Sequence, residues 1–197
     1  YMDFEPNISP DGESVFFNSI DRPLPEGTAK PRVAVWMFER KNDRWSKPEY
    51  AGFSGMYVTV SKERNIYFTL RKDGVDCLAM RRSVDGEYKK TEIIPPPVYS
   101  EEYHDKHPCI APDGSYLIFD SENRPRKNRC GLYVSFRKHD GAWTEPVSLG
   151  DFIAQDNAAM ARITSDGKYL FFNDRNGDNW WVSTEIVEVL KERRTEK

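Results

Sequence analysis

The sequence has 197 residues, of which 29 are basic and 32 acidic, and its net charge of −3 gives no electrostatic case for binding nucleic acid or an anionic membrane. Aromatic residues make up 13% of the chain, a share that favours strands over helices. No apolar run approaches the roughly 18 residues that a membrane-spanning helix needs. The three cysteines lack metal-ligand spacing, so they predict buried thiols rather than a metal site.

One segment recurs along the chain. Residues 8–17 read ISPDGESVFF, residues 110–119 read IAPDGSYLIF, residues 163–172 read ITSDGKYLFF, and residues 60–68 hold a shorter variant, VSKERNIYF. The turns start at positions 11, 63, 113 and 166, with spacings of 52, 50 and 53 residues. A fixed period of this size predicts a repeat architecture. We therefore divide one domain, 1–197, into repeats of about 1–51, 52–101, 102–154 and 155–197.

The first three repeats are each predicted to contain four strands, and the last repeat departs from this rule after its third strand. A short first strand leads into the turn, where Asp bonds its own backbone and Gly tolerates positive φ. The apolar second strands are 15–18, 66–70, 117–121 and 170–173, and the third strands are 33–40, 78–83, 132–138 and 179–183. A tight polar turn then leads to a fourth strand, which opens on Trp45, Tyr88 or Trp143 in the first three repeats.

A four-stranded antiparallel meander repeated around an axis is a β-propeller. The sequence therefore predicts an all-β propeller with four visible blades, as a partial or a small ring. We interpret the tryptophans as packing between blades: Trp36, Trp45, Trp143, Trp180 and Trp181. After Ser183, a capping residue, apolar side chains at helical spacing predict a short C-terminal helix.

The repeated Pro-Asp-Gly-x-x-Leu/Val-x-Phe unit resembles the WD40-like repeat of TolB-like β-propellers. Residues 121–125, 132–135 and 141–150 look like later strands of the same repeat, and only the second repeat lacks the Pro-Asp-Gly. The resemblance implies a propeller of more blades, often six, and a periplasmic or secreted location. Because four repeats are visible and the sequence starts at Tyr1, we expect absent upstream blades, a small closed ring, or open arrays that self-associate.

The order of an antiparallel meander places two sets of segments on one face of the propeller. These are the loops between second and third strands and the connections between blades, which are long at residues 19–32, 95–107 and 121–129. The turns on the opposite face are short. Because binding residues are often presented by loops on a rigid scaffold, we expect the ligand on the long-loop face.

Two groups of residues on that face are candidates for binding. An arginine follows each second strand, giving Arg22, Arg71, Arg124 and Arg175, and the blade connections add Glu102, His104, Asp105, His107 and Arg162. Guanidinium groups suit carboxylate or phosphate, although local salt bridging is the alternative. The histidines have an unspecific spacing, and strand alternation separates His104 from His107, so we assign no metal or cofactor.

The sequence thus favours a non-enzymatic binding module for a protein or a small polar or anionic ligand, with no nucleic-acid partner. The resemblance implies no catalytic motif common to the family, and the sequence lacks serine-hydrolase, metalloprotease and phosphate-loop motifs. Two alternatives stay open. One is a carbohydrate- or peptide-active hydrolase or lyase that uses rim carboxylates and histidines, and the other is the propeller domain of a larger hydrolase.

Overall fold

The computed structural model describes residues 1–122, 124, 130–153, 157–174 and 176–195. The strands form one main antiparallel sheet per repeat, and the four sheets are arranged as the blades of a β-propeller. The predicted all-β propeller is therefore confirmed, as is the predicted C-terminal helix.

The strands follow the repeats in chain order. The first blade holds β1 (Met2–Ile8), β2 (Ser14–Ile20), β3 (Ala34–Lys41), β4 (Arg44–Trp45) and β5 (Glu49–Ser54). The second holds β6 (Met56–Val60), β7 (Ile66–Lys72), β8 (Val75–Arg81), β9 (Ser83–Val84), β10 (Glu87–Tyr88) and β11 (Glu92–Ile93). The third holds β12 (His104–Ile110), β13 (Tyr116–Glu122), β14 (Cys130–Phe136) and β15 (Val147–Ser148), followed by α1 (Gly150–Ile153). The fourth holds β16 (Ala159–Ile163), β17 (Tyr169–Asn173) and β18 (Asn179–Ser183), followed by α2 (Glu185–Thr195).

The outermost strands begin later than predicted. In the first three blades the outer strand starts four residues after the expected aromatic residue, at Glu49, Glu92 and Val147. The aromatic residue itself extends the preceding hairpin, as Trp45 does opposite Arg40. Pro48 and Pro146 stand just before two of the outer strands, where their missing N–H interrupts a ladder. In the fourth blade the described chain enters α2 instead of a fourth strand, as predicted for the last repeat.

The turns between first and second strands share one backbone shape. Gly12, Gly114 and Gly167 all have φ between +74° and +77°. In the second repeat Arg64 takes the same place, with a φ of +63°. The side chain of Arg64 hydrogen-bonds to Asp11 Oδ2 at 3.1 Å in the first blade. This contact joins the first two blades at the one turn of the four that has arginine in place of glycine.

Among the described residues, three of the four apolar clusters of the core lie between two consecutive blades, and the fourth lies on the first blade. Phe16 and Val35 of the first blade pack with Val60, Ile66 and Phe68 of the second. The cluster between the third and fourth blades also includes Val187 and Leu190, so α2 covers part of these two blades. Burial of one face of each of the first three sheets against the next sheet therefore stabilises the array, since apolar surface leaves water at each junction.

The tryptophans divide into two groups. Trp143 is buried between the second and third blades, as predicted, and Trp36 is buried beneath Leu24 on the first blade. Trp45, Trp180 and Trp181 are exposed, so the interpretation as packing between blades was wrong for them. It was also wrong for Trp36, whose packing partners all belong to its own repeat. Neither described helix is long and apolar enough to cross a membrane.

Candidate functional site

Every innermost strand contains a β-bulge with a residue in the left-handed region. These residues are Glu5, Tyr57, His107 and Met160, with φ between +49° and +57°. Their spacings of 52, 50 and 53 residues equal those of the turns. Bulges redirect side chains and are common beside binding sites. Four non-glycine residues in this conformation therefore mark the centre of the propeller as a candidate site.

The backbone N–H of three bulges bonds to the preceding blade. Each acceptor is a polar side chain on the second strand of the preceding blade. There it pairs with the residue just before that blade's own bulge. The acceptors are Asn18 for Tyr57 at 3.1 Å, Thr69 for His107 at 2.9 Å and Asp120 for Met160 at 3.1 Å. Because all three acceptors are largely buried or shielded, these bonds hold each bulge firmly.

Five side chains from the four blades form what we call the axial cluster: Glu5, Tyr57, His107, Asp120 and Arg162. The Arg162 guanidinium carbon lies 3.5 Å from the centre of the Tyr57 ring, and the His107 ring meets that ring edge-on at 4.7 Å. His107 Nδ1 lies 2.8 and 3.0 Å from the two carboxylate oxygens of Asp120. Glu5 Oε2 accepts the Tyr57 N–H at 2.9 Å.

The electrostatics of the axial cluster follow from its burial. Burial raises the pKa of the Tyr57 phenol, which Arg162 partly opposes, so this hydroxyl stays protonated and lies 3.4 Å from the carbonyl oxygen of Ala161 as a donor. Burial also raises the pKa of the Cys109 thiol to about 11, which makes this neighbour a poor nucleophile. Arg162 Nη1 is buried and has no hydrogen-bond partner within the described residues.

A small cavity of about 60 Å³ lies on the axis beside this cluster. Its wall includes one residue from the same position of each innermost strand, Asn7, Thr59, Cys109 and Arg162. Arg162 is the only charged one of these four. The cavity therefore has room for a small polar group beside a single cation.

Two of the predicted arginines form the same structural unit in different blades. Arg22 pairs with Asp3 and lies over the rings of Tyr1, Phe17 and Trp36. Arg124 pairs with Asp105, its Nη2 lying 2.7 Å from Oδ2, and lies over the rings of Tyr103, Phe119 and Tyr133. Asp105 and Arg124 are both buried. This arrangement favours a structural role for Arg22, Arg124 and Asp105.

The other predicted residues lie apart from the axial cluster or outside the described chain. Arg71 Nη1 binds Asp76 at 3.0 Å, and His104 Nδ1 accepts the Asp76 backbone N–H at 3.3 Å. Glu102 is exposed. Arg175 falls outside the described residues. Among the described members of the predicted set, only His107 and Arg162 therefore belong to the axial cluster. Within the described part of the chain, no three His, Cys, Asp or Glu side chains could together hold a metal ion.

Sequence reasoning missed Tyr57 and Asp120 as members of the site. The available signal was position, because Tyr57 stands 50 residues before His107 and the repeat period is the same. Asp120 lies near the end of the predicted second strand 117–121, where a polar residue is easily taken for part of a solvent-exposed strand end.

A larger depression of about 390 Å³ lies on the short-turn face. Its rim carries Glu63 and Asp113 together with Arg137, Lys138 and His139. The depression is open to solvent and mixes both signs of charge, so its groups are strongly screened. We therefore regard the axial cluster as the better candidate.

The four blades around one axis define the chain as a β-propeller. It is similar to TolB from Acinetobacter baumannii, with a TM-score of 0.58 and 14% identity over 92% of this chain and 43% of TolB. It is also similar to an α-L-arabinofuranosidase from Lactobacillus brevis (TM-score 0.56, 12% identity, 88% of this chain and 66% of that one). A third similar structure is GH43B of a Bacteroides ovatus xyloglucan locus (TM-score 0.50, 11% identity, 87% and 38%).

These identities show a shared fold and no more. The chain spans less than half the length of TolB and of GH43B. No protein-family model matches the sequence. No curated protein matches it either.

Proposed function

We propose that this propeller is a binding module. Its axial cavity captures a carboxylate, or a similarly small anionic group, that belongs to a protein or to a small polar ligand. The observation that carries the proposal is Arg162 Nη1, a buried donor without an acceptor within the described residues. An unsatisfied buried donor is unfavourable by about 1–3 kcal/mol, and more when charged. An anionic ligand would remove that penalty.

The other groups of the axial cluster support an anion rather than a cation. The carboxylate of Glu5 accepts the Tyr57 N–H, and that of Asp120 contacts His107 and accepts the Met160 N–H. Both acceptors are therefore engaged. The free hydrogen-bonding capacity lies on the guanidinium group, which binds carboxylates with strong, charge-assisted bonds.

The ring stacking of Arg162 orients it for this purpose. Contact with the Tyr57 ring at 3.5 Å holds the plane of the guanidinium group without using its N–H donors. Arg162 also lines the axial cavity of about 60 Å³. A cavity of this size admits a small head group and excludes a bulky one, so it selects ligands by size.

Thermal unfolding of the 197-residue chain with small carboxylates tests the proposal. Acetate, succinate and acetylated peptides with free or amidated C-termini would serve as probes. At ten times its Kd a ligand adds about 1.4 kcal/mol of stability, which for this size raises Tm by about 3–6 °C. The same peptides with amidated C-termini should have no effect.

Matched variants identify the site. Arg162→Met removes the cation from the axis, whereas Arg137→Met removes one from the short-turn face. We expect the carboxylate-dependent rise in Tm to vanish only in Arg162→Met. A similar rise in both variants, or no rise with any carboxylate in the native chain, would contradict the proposal.

A second candidate function rests on His107 and Asp120. A histidine whose Nδ1 is held by a buried carboxylate can use its other ring nitrogen as an acid or base. The similarity to an α-L-arabinofuranosidase makes aryl arabinofuranosides reasonable first substrates. Turnover that is lost in His107→Gln and retained in His104→Gln would favour this enzyme over the binding module.

A further inference from the structure

The face that each blade turns toward the next one in the sequence is here called its forward face. The central residue of each forward face lies on the second strand. It pairs with the innermost-strand residue two positions after the left-handed one. These central residues are Phe16, Tyr67, Ile118 and Phe171. The first three are 0, 1 and 0% exposed, because the next blade covers them, whereas Phe171 is 44% exposed. The forward face of the fourth blade is thus built like the others but is uncovered.

This face presents a compact aromatic surface. Phe171 pairs with Trp181 and Tyr169 with Ser183, and cross-strand partners share one side of a sheet. Tyr169 and Trp181 are 42 and 61% exposed, and their rings meet edge-on at 5.4 Å. Large aromatic groups clustered on an exposed sheet face mark an interaction surface.

A polar residue at a matching position confirms that the fourth forward face is equivalent to the other three. Asn173 stands opposite the residue before the bulge, as do Asn18, Thr69 and Asp120, which all accept a bulge N–H from the next blade. Asn173 instead donates to Asn179 Oδ1 at 2.8 Å on the exposed surface. The fourth forward face therefore retains the polar position that the other blades use to hold a neighbour.

The first blade does not offer its own matching sheet face. There Phe17 and Trp36 are buried, and Leu24 and Tyr50 of the same repeat pack against them. An occupant of the fourth forward face must then come from elsewhere. The side chains that β17 and β18 place on it, Tyr169, Phe171, Asn173, Asn179, Trp181 and Ser183, carry no charge. Two identical copies of such a face attract without like-charge repulsion.

We propose that two copies of this chain pair through the forward faces of their fourth blades, in a two-fold dimer. At roughly 200 Å² per aromatic side chain, exposures of 42, 44 and 61% give roughly 300 Å² of aromatic surface per copy. A typical stable interface buries about 800 Å² per partner. The dimer is accordingly weak, with a Kd in the micromolar range.

Sedimentation of the whole chain across micromolar concentrations tests the pairing. We expect a reversible monomer–dimer equilibrium, and Trp181→Ser should weaken it at least about tenfold because central aromatic residues dominate interface energies. Trp45→Ser is the matched control, since Trp45 is also exposed but lies on the first blade. It should leave the equilibrium unchanged.

A third variant distinguishes the two-fold dimer from head-to-tail assembly. Ile8 is exposed on the first blade, whereas its counterparts Val60 and Ile110 are buried against the preceding blade. Ile8→Ser should leave the dimer intact. The proposal is overturned by a chain that stays monomeric at high concentration. It is also overturned by oligomers beyond the dimer that Ile8→Ser abolishes, or by equal weakening in the two tryptophan variants.

Discussion

Removing Asp105 should destabilise the fold far more than removing its counterpart Asp3. The two carboxylates occupy the same position in the third and first blades, and each holds an arginine that lies over aromatic rings. The side chains of Asp105 and Arg124 are 3 and 7% exposed, whereas Asp3 is 38% exposed. The comparison therefore isolates the effect of burial on one repeated interaction.

The expected magnitudes follow from that difference. Asp105→Ala leaves the Arg124 guanidinium buried without its carboxylate, and such a loss decreases the free energy of unfolding by about 3–5 kcal/mol. In Asp3→Ala the Arg22 side chain, which is 14% exposed, loses a carboxylate that water already reaches, and the expected loss is about 1 kcal/mol. At about 2–4 °C per kcal/mol for a chain of this size, Asp105→Ala lowers Tm by roughly 10 °C and Asp3→Ala by a few degrees.

Urea unfolding followed by circular dichroism measures both variants against the native chain. Asp105→Ala combined with Arg124→Met should recover part of the loss, because the buried charge is removed along with its partner. Equal losses in the two single variants would refute the reasoning. So would a double variant that is no more stable than Asp105→Ala.

Three further results are expected. Gly114→Ala should lower stability by about 1 kcal/mol because alanine disfavours positive φ, and Gly114→Asn should lose less; equal losses measured by urea unfolding would contradict this. Partial burial alone would raise the pKa of Asp3, but hydrogen bonds from Ser19 and Arg22 lower it overall. The stability that Asp3 adds is therefore present above its unfolded pKa and lost as pH falls through the lowered one, so the Tm difference from Asp3→Asn should shrink in acid. Cys109, buried and with a pKa of about 11, should react with iodoacetamide at mildly alkaline pH only as fast as the protein unfolds, which peptide mass spectrometry would show.

The repeat period made most of the fold predictable. Turns of Asp and Gly at a spacing of 50 to 53 residues located the blades, and β18 (Asn179–Ser183) has the predicted bounds. Local patterns were enough here because hairpins join neighbours in sequence. The α2 helix was predictable for the same reason, from its cap and its spacing of apolar residues.

The site was less accessible from sequence. A β-bulge with a left-handed glutamate, tyrosine, histidine or methionine has no composition signal, since glycine is the usual mark of that conformation. If the bulge is ignored, the alternation of side chains along a strand predicts the wrong side of the sheet for residues near His107. The arginines after the second strands were predicted to bind a ligand because they recur in every repeat. Arg22 and Arg124, however, recur together with aspartates that neutralise their charge.

The exposed tryptophans illustrate a different difficulty. Residue type shows that Trp181 suits an interface, but only the arrangement of blades shows whether a neighbour covers it. Likewise, outer strands that open on Trp45 and Trp143, as predicted, would include Pro48 and Pro146, although the two prolines stand just before the observed strands. Both errors concern contacts that depend on three-dimensional context rather than local preference.

The four bulges have a consequence for engineering this scaffold. One backbone shape already accommodates an acid, a phenol, an imidazole and a thioether at matching places around a single axis. The same backbone shape should therefore accept other unbranched side chains at each of these four places. Specificity could then be redesigned blade by blade while the surrounding sheets stay as they are.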